Sequence, residues 1–280
     1  MSAPWEESET ADGSWTLWNA ALGEGCHSSA GAWQQATERY ARACRLGERA
    51  RRESWTRAPL LDIGTGLGLN LAAALEALEG SGTALEALSL ELDPAVIERG
   101  LALYESLRQG PWERWHAPVR RALHQALEYP GERISLTGPG VAPGGTLELV
   151  LGDARSTLPA SSRANFEAVF LDPFSPARAG ELWEEPFLAV VAARMSAGAW
   201  LSTYSASFRV RLALARAGLC VGRGPRVGQK GEGTLARRCA DVPALPARLV
   251  RRLEARKGRA RGAAGPFLGN RLREAAPPVD

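Results

Sequence analysis

From residue 56 onward two rhythms of apolar positions alternate along the chain. Short, nearly continuous apolar runs at 59–63, 84–92, 146–151, 168–171 and 200–204 predict buried strands. Between and after them, apolar residues at helical spacing over 69–78, 182–194 and 208–217 predict helices. Pro94 opens another helix, in the first turn, where its missing N–H has no intrahelical acceptor to lose. Strand and helix taking turns predicts an α/β fold: a mostly parallel central sheet with helices on both faces. In such a sheet, ligands sit at the carboxyl ends of the strands. Two stretches depart from the rhythm. Residues 108–145, with Trp112, Trp115, His116 and His124, are too long for a simple connection and predict an inserted helix-and-loop element over the ligand face. Residues 29–49 read as a polar helix and 48–55 as a charged connector. The expected organisation is an N-terminal extension over 1–55, a main domain over 56–238 carrying the insertion, and a basic tail over 239–280 with the composition of a partly disordered segment.

Composition narrows the class. A chain of 280 residues, 45% hydrophobic and 23% charged, is long enough for a large core and ordinary for a globular protein. No apolar run approaches the roughly 20 residues of a membrane span, and the first ten residues are acidic rather than signal-like, so a cytoplasmic protein without a membrane partner is expected. Cys26, Cys44, Cys220 and Cys239 have no metal-ligand spacing and only three histidines accompany them, which predicts reduced thiols and no metal. The net charge of +3 is unevenly spread. From residue 237 to the end, eleven basic residues face four acidic ones, a balance of +7 that leaves −4 for residues 1–236. A cationic tail can neutralise phosphates, and it can equally be a solvated bystander.

The candidate chemistry lies at the strand ends. Asp62 closes one strand and runs into Gly64-x-Gly66-x-Gly68, a turn in which glycine permits close backbone approach to a ligand. The dinucleotide fingerprint requires its third glycine one residue later, at the position of Leu69, which disfavours an NAD-linked oxidoreductase. A GxGxG turn preceded by an acid suits S-adenosylmethionine better. Asp62 would face the amino-acid end of that cofactor through the turn, Glu91 at the end of the next strand would accept from the ribose hydroxyls, and Asp153 would accept from the adenine amine. The sequence Leu171-Asp172-Pro173-Phe174-Ser175-Pro176 is similar to the acid-Pro-aromatic signature of methyltransferases acting on amino nitrogen. Asp172 can accept an N–H from the amine and aim its lone pair, Pro173 stiffens the turn, and Phe174 offers an apolar surface.

With these motifs the chain resembles the methyltransferase domain of the MnmC family, the tRNA 5-methylaminomethyl-2-thiouridine-forming enzymes. The resemblance runs from about residue 12 to 237. It rests on Asp12-Gly-Ser-Trp-Thr-Leu17, Gly23-Glu24, His27-Ser28, Gly31-Ala32, Gly64 to Asn70, Glu91, Leu151-Gly-Asp153, the Asp172 motif with Leu182-Trp183, Thr203-Tyr204-Ser205 and Gly228-Gln-Lys230. It implies a Rossmann-like S-adenosylmethionine-dependent fold and methylation of the primary amine of 5-aminomethyl-2-thiouridine at the tRNA wobble position. It extends the cofactor-binding set to Gly64, Thr65, Gly66, Leu67, Gly68 and Asn70. It also implies a stand-alone methylase using no FAD, because no second nucleotide turn follows, and coupling to the enzymes that make the aminomethyl precursor. Asp172 is the expected catalytic residue; His27, Pro173, Phe174, Tyr204 and Lys230 are expected substrate contacts. Arg178-Ala179-Gly180 departs from the family's Lys-Asn-Pro, and Cys26 stands where a Tyr is common. Methylation of a small-molecule or protein amine is the alternative reading, and a cofactor-binding scaffold without turnover is disfavoured by the acid at 172.

Overall fold

The computed structural model describes residues 5–258 except 108, 229 and 240. Three short strands, β1 (Trp5–Glu9), β2 (Trp15–Asn19) and β3 (Glu24–Gly25), form a small antiparallel sheet. One turn of α-helix, α1 (Ala32–Gln34), passes into a π-helix over Gln35–Arg42, and α2 (Leu46–Arg52) follows. The helix expected over 29–49 is therefore interrupted. Arg45, at φ 53 in the left-handed region, makes the break, and part of the expected charged connector is helical instead.

The large sheet comprises β4 (Arg57–Ile63), β5 (Ala84–Glu91), β6 (Arg133–Ser135), β7 (Thr146–Leu151), β8 (Phe166–Leu171), β9 (Met195–Thr203), β10 (Cys220–Val227) and β11 (Lys230–Arg237). Their order is β10-β11-β9-β8-β4-β5-β7-β6. The five central strands, β9, β8, β4, β5 and β7, run parallel, as the alternation predicts, while β6 at one edge and the β10–β11 hairpin at the other add antiparallel pairs.

Successive strand residues point to opposite faces. Leu60, Ala87, Leu147, Leu149 and Phe170 pack on one face beneath α3 (Leu69–Leu78), α4 (Pro94–Leu107), α5 (Glu113–Glu128) and the N-terminal extension. Leu61, Ile63, Leu88, Val169 and Leu171 pack on the other beneath α6 (Ala154–Ala160), α7 (Glu185–Arg194), α8 (Phe208–Arg216) and α9 (Ala247–Lys257). Each fully buried leucine stabilises the fold by about 1.5–3 kcal/mol, so the one-residue register fixes which side chains are left at the strand ends.

Two expectations change in detail. Within 109–145, α5 packs against α3 and β7, so it buttresses the glycine turn from behind rather than covering the ligand face. Within the basic tail, α9 is ordered by Leu253, buried to 4% exposure, while Arg248, Arg251, Arg252 and Arg256 are exposed; residues 259–280 lie outside the described residues. No helix among the described residues is long and apolar enough to cross a membrane.

Candidate active site

A pocket opens at the carboxyl ends of β4, β5, β7 and β8, where the parallel strands deliver their turns side by side. The glycine turn after β4 is one wall. Gly64 and Thr65 both donate their N–H to the Leu90 carbonyl, at 2.9 and 3.3 Å, which ties the turn to β5. Gly66, at φ 51, lines the pocket, and a Cβ there would meet nothing nearer than the Gly64 carbonyl at 4.0 Å. Its N–H donates to Glu91 Oε2 at 2.9 Å, while Glu91 Oε1 accepts from the N–H groups of Leu92 and Asp93. Burial nonetheless moves the Glu91 carboxyl above its ordinary range.

Asp62, Thr65, Leu67, Gly68 and Asn70, all expected to touch cofactor, do not line the pocket. They form its foundation. Thr65 donates to Ser89 and Ser89 donates to Asp62 Oδ2, both at 2.7 Å. Asp62 is fully buried, and burial, reinforced by the charges of Asp172 and Glu91, pushes its pKa up to about 8 despite the Ser89 bond. Leu67 sits in the core, and its carbonyl accepts from Nε2 of His116 on α5 at 2.7 Å. Gly68, at φ 79, caps α3, and a Cβ there would press on Leu123 and Val119 of α5 at 2.8 and 3.1 Å.

The opposite wall is the turn after β8. Asp172 is half-buried, and its N–H donates to the Ile63 carbonyl at 2.9 Å. Its Oδ1 accepts from the phenol of Tyr40, and its Oδ2 accepts from Asn70 Nδ2 at 3.0 Å. The next three residues are anchored in succession. The Pro173 carbonyl accepts from Tyr204 at 2.9 Å, the Phe174 carbonyl from Trp183 Nε1 at 2.8 Å, and the Ser175 N–H donates to Glu24 at 3.1 Å. Phe174 also stacks on Trp5, with centroids 6.1 Å apart. Pro173, Phe174 and Tyr204 therefore line the pocket as expected, although the Tyr204 hydroxyl is spent on the turn.

Asp153 lines the pocket at the start of α6, but its carboxylate is engaged by the Arg155 guanidinium at 2.6–3.0 Å, which holds its pKa low. His27 reaches the pocket from the N-terminal extension, with Nδ1 3.0 Å from the Thr16 hydroxyl. Lys230 begins β11, and its side chain lies outside the described residues. Gln35, which lines the pocket, and Tyr40, which reaches Asp172, are additional site residues that motif spacing does not reveal, and Glu24, quoted above only within the family resemblance, lines the pocket as well. Among the described residues no group of His, Cys, Asp and Glu is arranged to hold a metal.

The acceptors Asp172, Glu91 and Asp153 are spread around a pocket whose lining includes the apolar Leu90, Leu92, Val96, Ala154 and Leu182. With the open ground before Gly66, this set fits a ligand carrying a cationic end, a diol and an apolar ring, as S-adenosylmethionine does. Residues 115–239 match the family described as S-adenosyl-L-methionine-dependent methyltransferase. The crystal structure of MNMC2 from Aquifex aeolicus superposes with a TM-score of 0.71 at 30% identity, over 89% of this chain and 75% of that one. The tRNA 5-methylaminomethyl-2-thiouridine biosynthesis bifunctional protein MnmC of Aromatoleum aromaticum is 34% identical over 247 residues, covering 85% of this chain and 36% of the relative. Its namesake from Pseudomonas aeruginosa is 36% identical over 181 residues, covering 61% and 25%. The chain thus spans about a quarter to a third of the curated relatives it matches. It belongs to the MnmC family of S-adenosyl-L-methionine-dependent methyltransferases.

Proposed function

We propose that this pocket methylates the primary amine of 5-aminomethyl-2-thiouridine at the wobble position of tRNA, giving the 5-methylaminomethyl form, with Asp172 as the catalytic residue. The observation that carries the reading is the Asp172 turn: a half-buried carboxylate facing the pocket, on a backbone fixed at four consecutive residues. The names of the relatives supply the tRNA context.

When bound, S-adenosylmethionine supplies a methyl group on positively charged sulfur. Gly64 and Gly66 would receive its amino-acid end, Glu91 its ribose hydroxyls, and Leu92, Val96 and Asp153 its base. The chain's own task is to present a neutral amine. A lysine-like amine has a pKa near 10.4, so baring its lone pair at pH 7 costs about 5 kcal/mol. A carboxylate alone makes this worse, because it favours the ammonium. A remedy is available: Asp62, its pKa pushed up to about 8, would carry little negative charge at pH 7, and the pocket lining of Phe174, Leu182 and Tyr204 would give the amine an apolar enclosure. Asp172 would then accept one N–H, orient the lone pair, and take the proton released as the N–C bond forms and the sulfur–methyl bond breaks, the electron pair of that bond staying on the departing neutral thioether.

The test is Asp172→Ala. Calorimetry is expected to show S-adenosylmethionine affinity within a few-fold of wild type, and single-turnover methyl transfer to tRNA is expected to fall about 100-fold or more. Transfer at the wild-type rate would remove Asp172 from the mechanism.

A further inference from the structure

The π-helix over Gln35–Arg42 places three side chains around the site, each on a different element. Gln35 lines the pocket and accepts from the Ser28 N–H at 3.0 Å. Arg39 donates to the Tyr204 carbonyl at 3.4 Å and to the Gly231 carbonyl at 3.3 Å. Tyr40 donates to Asp172. In an α-helix, residues five apart point about 140° away from each other. The wider π turn, closed by i→i+5 bonds, narrows that separation, so that Gln35 reaches the pocket while Tyr40 reaches Asp172 at its wall. The unusual helix thereby gives the extension a hold on the acid of β8.

We propose that Tyr40 is a positioning residue of the methyl-transfer reaction, its phenol fixing the rotation of the Asp172 carboxylate toward the substrate amine while Asn70 secures the other oxygen. The inference rests on the reading of Asp172 given above. Tyr40 is fully buried, and burial together with the Asp172 charge holds its phenol far above the ordinary range, so it remains a donor at every working pH. A carboxylate that rotates samples orientations in which neither oxygen meets the amine, and near-attack geometry is lost. The ring itself packs against Phe170, centroids 5.6 Å apart, and this contact survives removal of the hydroxyl.

The test compares wild type with Tyr40→Phe, using protein carrying carboxyl-13C aspartate, with the Asp172 resonance assigned through Asp172→Asn. Among the groups around Asp172 are Arg39 and Tyr40 from the π-helix, Asn70 from α3, Asp62 from β4, Cys26 from the extension and Tyr204 beyond β9, with His27, Glu24 and Glu91 lining the same pocket. Of these only Asp62 is an aspartate, so two titrations are resolved in the cluster. Tyr40→Phe is expected to move the Asp172 titration upward, because a donor to the charged form is gone. S-adenosylhomocysteine affinity should stay within about threefold, kcat on aminomethyl tRNA should fall 10- to 100-fold with KM changed far less, and the acid limb of the rate profile should move up with the titration. Should Tyr40→Phe fold poorly, Asn70→Ala removes the other donor and is expected to shift the same resonance the same way. An Asp172 titration identical to wild type in the folded variant, or a loss confined to cofactor affinity, overturns the proposal. Because the titration uses no tRNA, inactivity of the wild-type protein on tRNA would defeat the substrate reading and leave this result to be judged separately.

Discussion

Asp62 and Asp172 share one cluster, yet the fold treats them oppositely: Asp172 lines the pocket with Tyr40 and Asn70 donating to its two oxygens, while Asp62 lies fully buried beneath with Ser89 donating to one of its own. The sign of the consequence follows from linkage. Asp62 titrates near 8 in the folded protein against 3.8 in the unfolded chain, so between those values the native state binds the extra proton. Stability contributed by this group is present below pH 4 and is lost progressively as pH rises toward 8. Urea midpoints of the ligand-free protein between pH 5 and 8 should fall with pH in wild type, and fall less in Asp62→Asn; parallel slopes would refute the assignment. Glu91 is tied to three backbone N–H groups, one of them in the glycine turn, so Glu91→Ala should weaken S-adenosylmethionine binding more than tenfold by calorimetry, and unchanged binding would remove it from the site. Both residues were legible in the sequence because each ends an apolar run at a turn. Their division of labour was not, since whether a strand-end acid faces the pocket or the core beneath depends on burial that spacing does not encode.

At the scale of elements, the glycine turn is held from behind by α5, and Gly68 is where the two meet. Its positive φ and the approach of Leu123 and Val119 leave no room for a side chain. Gly68→Ala should destabilise the protein by about 1–3 kcal/mol and loosen cofactor binding, measured as a lower urea midpoint and a raised Kd; a neutral substitution would mean that α5 does not brace the turn. The central parallel strands were readable from continuous apolar runs. The β10–β11 hairpin was not, because Gly222, Gly224, Gly231 and Gly233 dilute its pattern. Gly233 is bare for a physical reason: a Cβ there would lie 2.6 Å from Arg39 Nη1 and 2.5 Å from the Thr203 carbonyl. The π-helix shows in the sequence only as a polar helix, and its changed register, which brings Tyr40 to Asp172, has no periodic signature in so short a segment.

Across the whole molecule, charge is segregated. The acids of the pocket belong to a part of the chain that is net negative, whereas residues 237–280 carry +7. Removing everything from Arg248 onward would also strip Leu249, Val250 and Leu253 from α8, so truncation confounds folding with charge. Arg248→Gln, Arg251→Gln and Arg252→Gln alter exposed positions of α9 and keep Leu249, Val250 and Leu253, giving up only the contact of Arg252 over the Phe208 ring at 4.1 Å. If α9 meets phosphates, the triple variant should bind tRNA more weakly and with a shallower dependence of log affinity on log salt, while S-adenosylmethionine affinity stays constant. An unchanged salt slope would make these arginines a solvated face.

The most direct test of the central claim is mass spectrometry of nucleosides from tRNA bearing 5-aminomethyl-2-thiouridine, incubated with the purified protein and S-adenosylmethionine. Conversion of that nucleoside to its 5-methylaminomethyl form, one methyl heavier, is expected, and with Asp172→Ala the same conversion slowed about 100-fold or more. An unchanged aminomethyl nucleoside in the presence of wild-type protein shown by calorimetry to bind S-adenosylmethionine would contradict the claim.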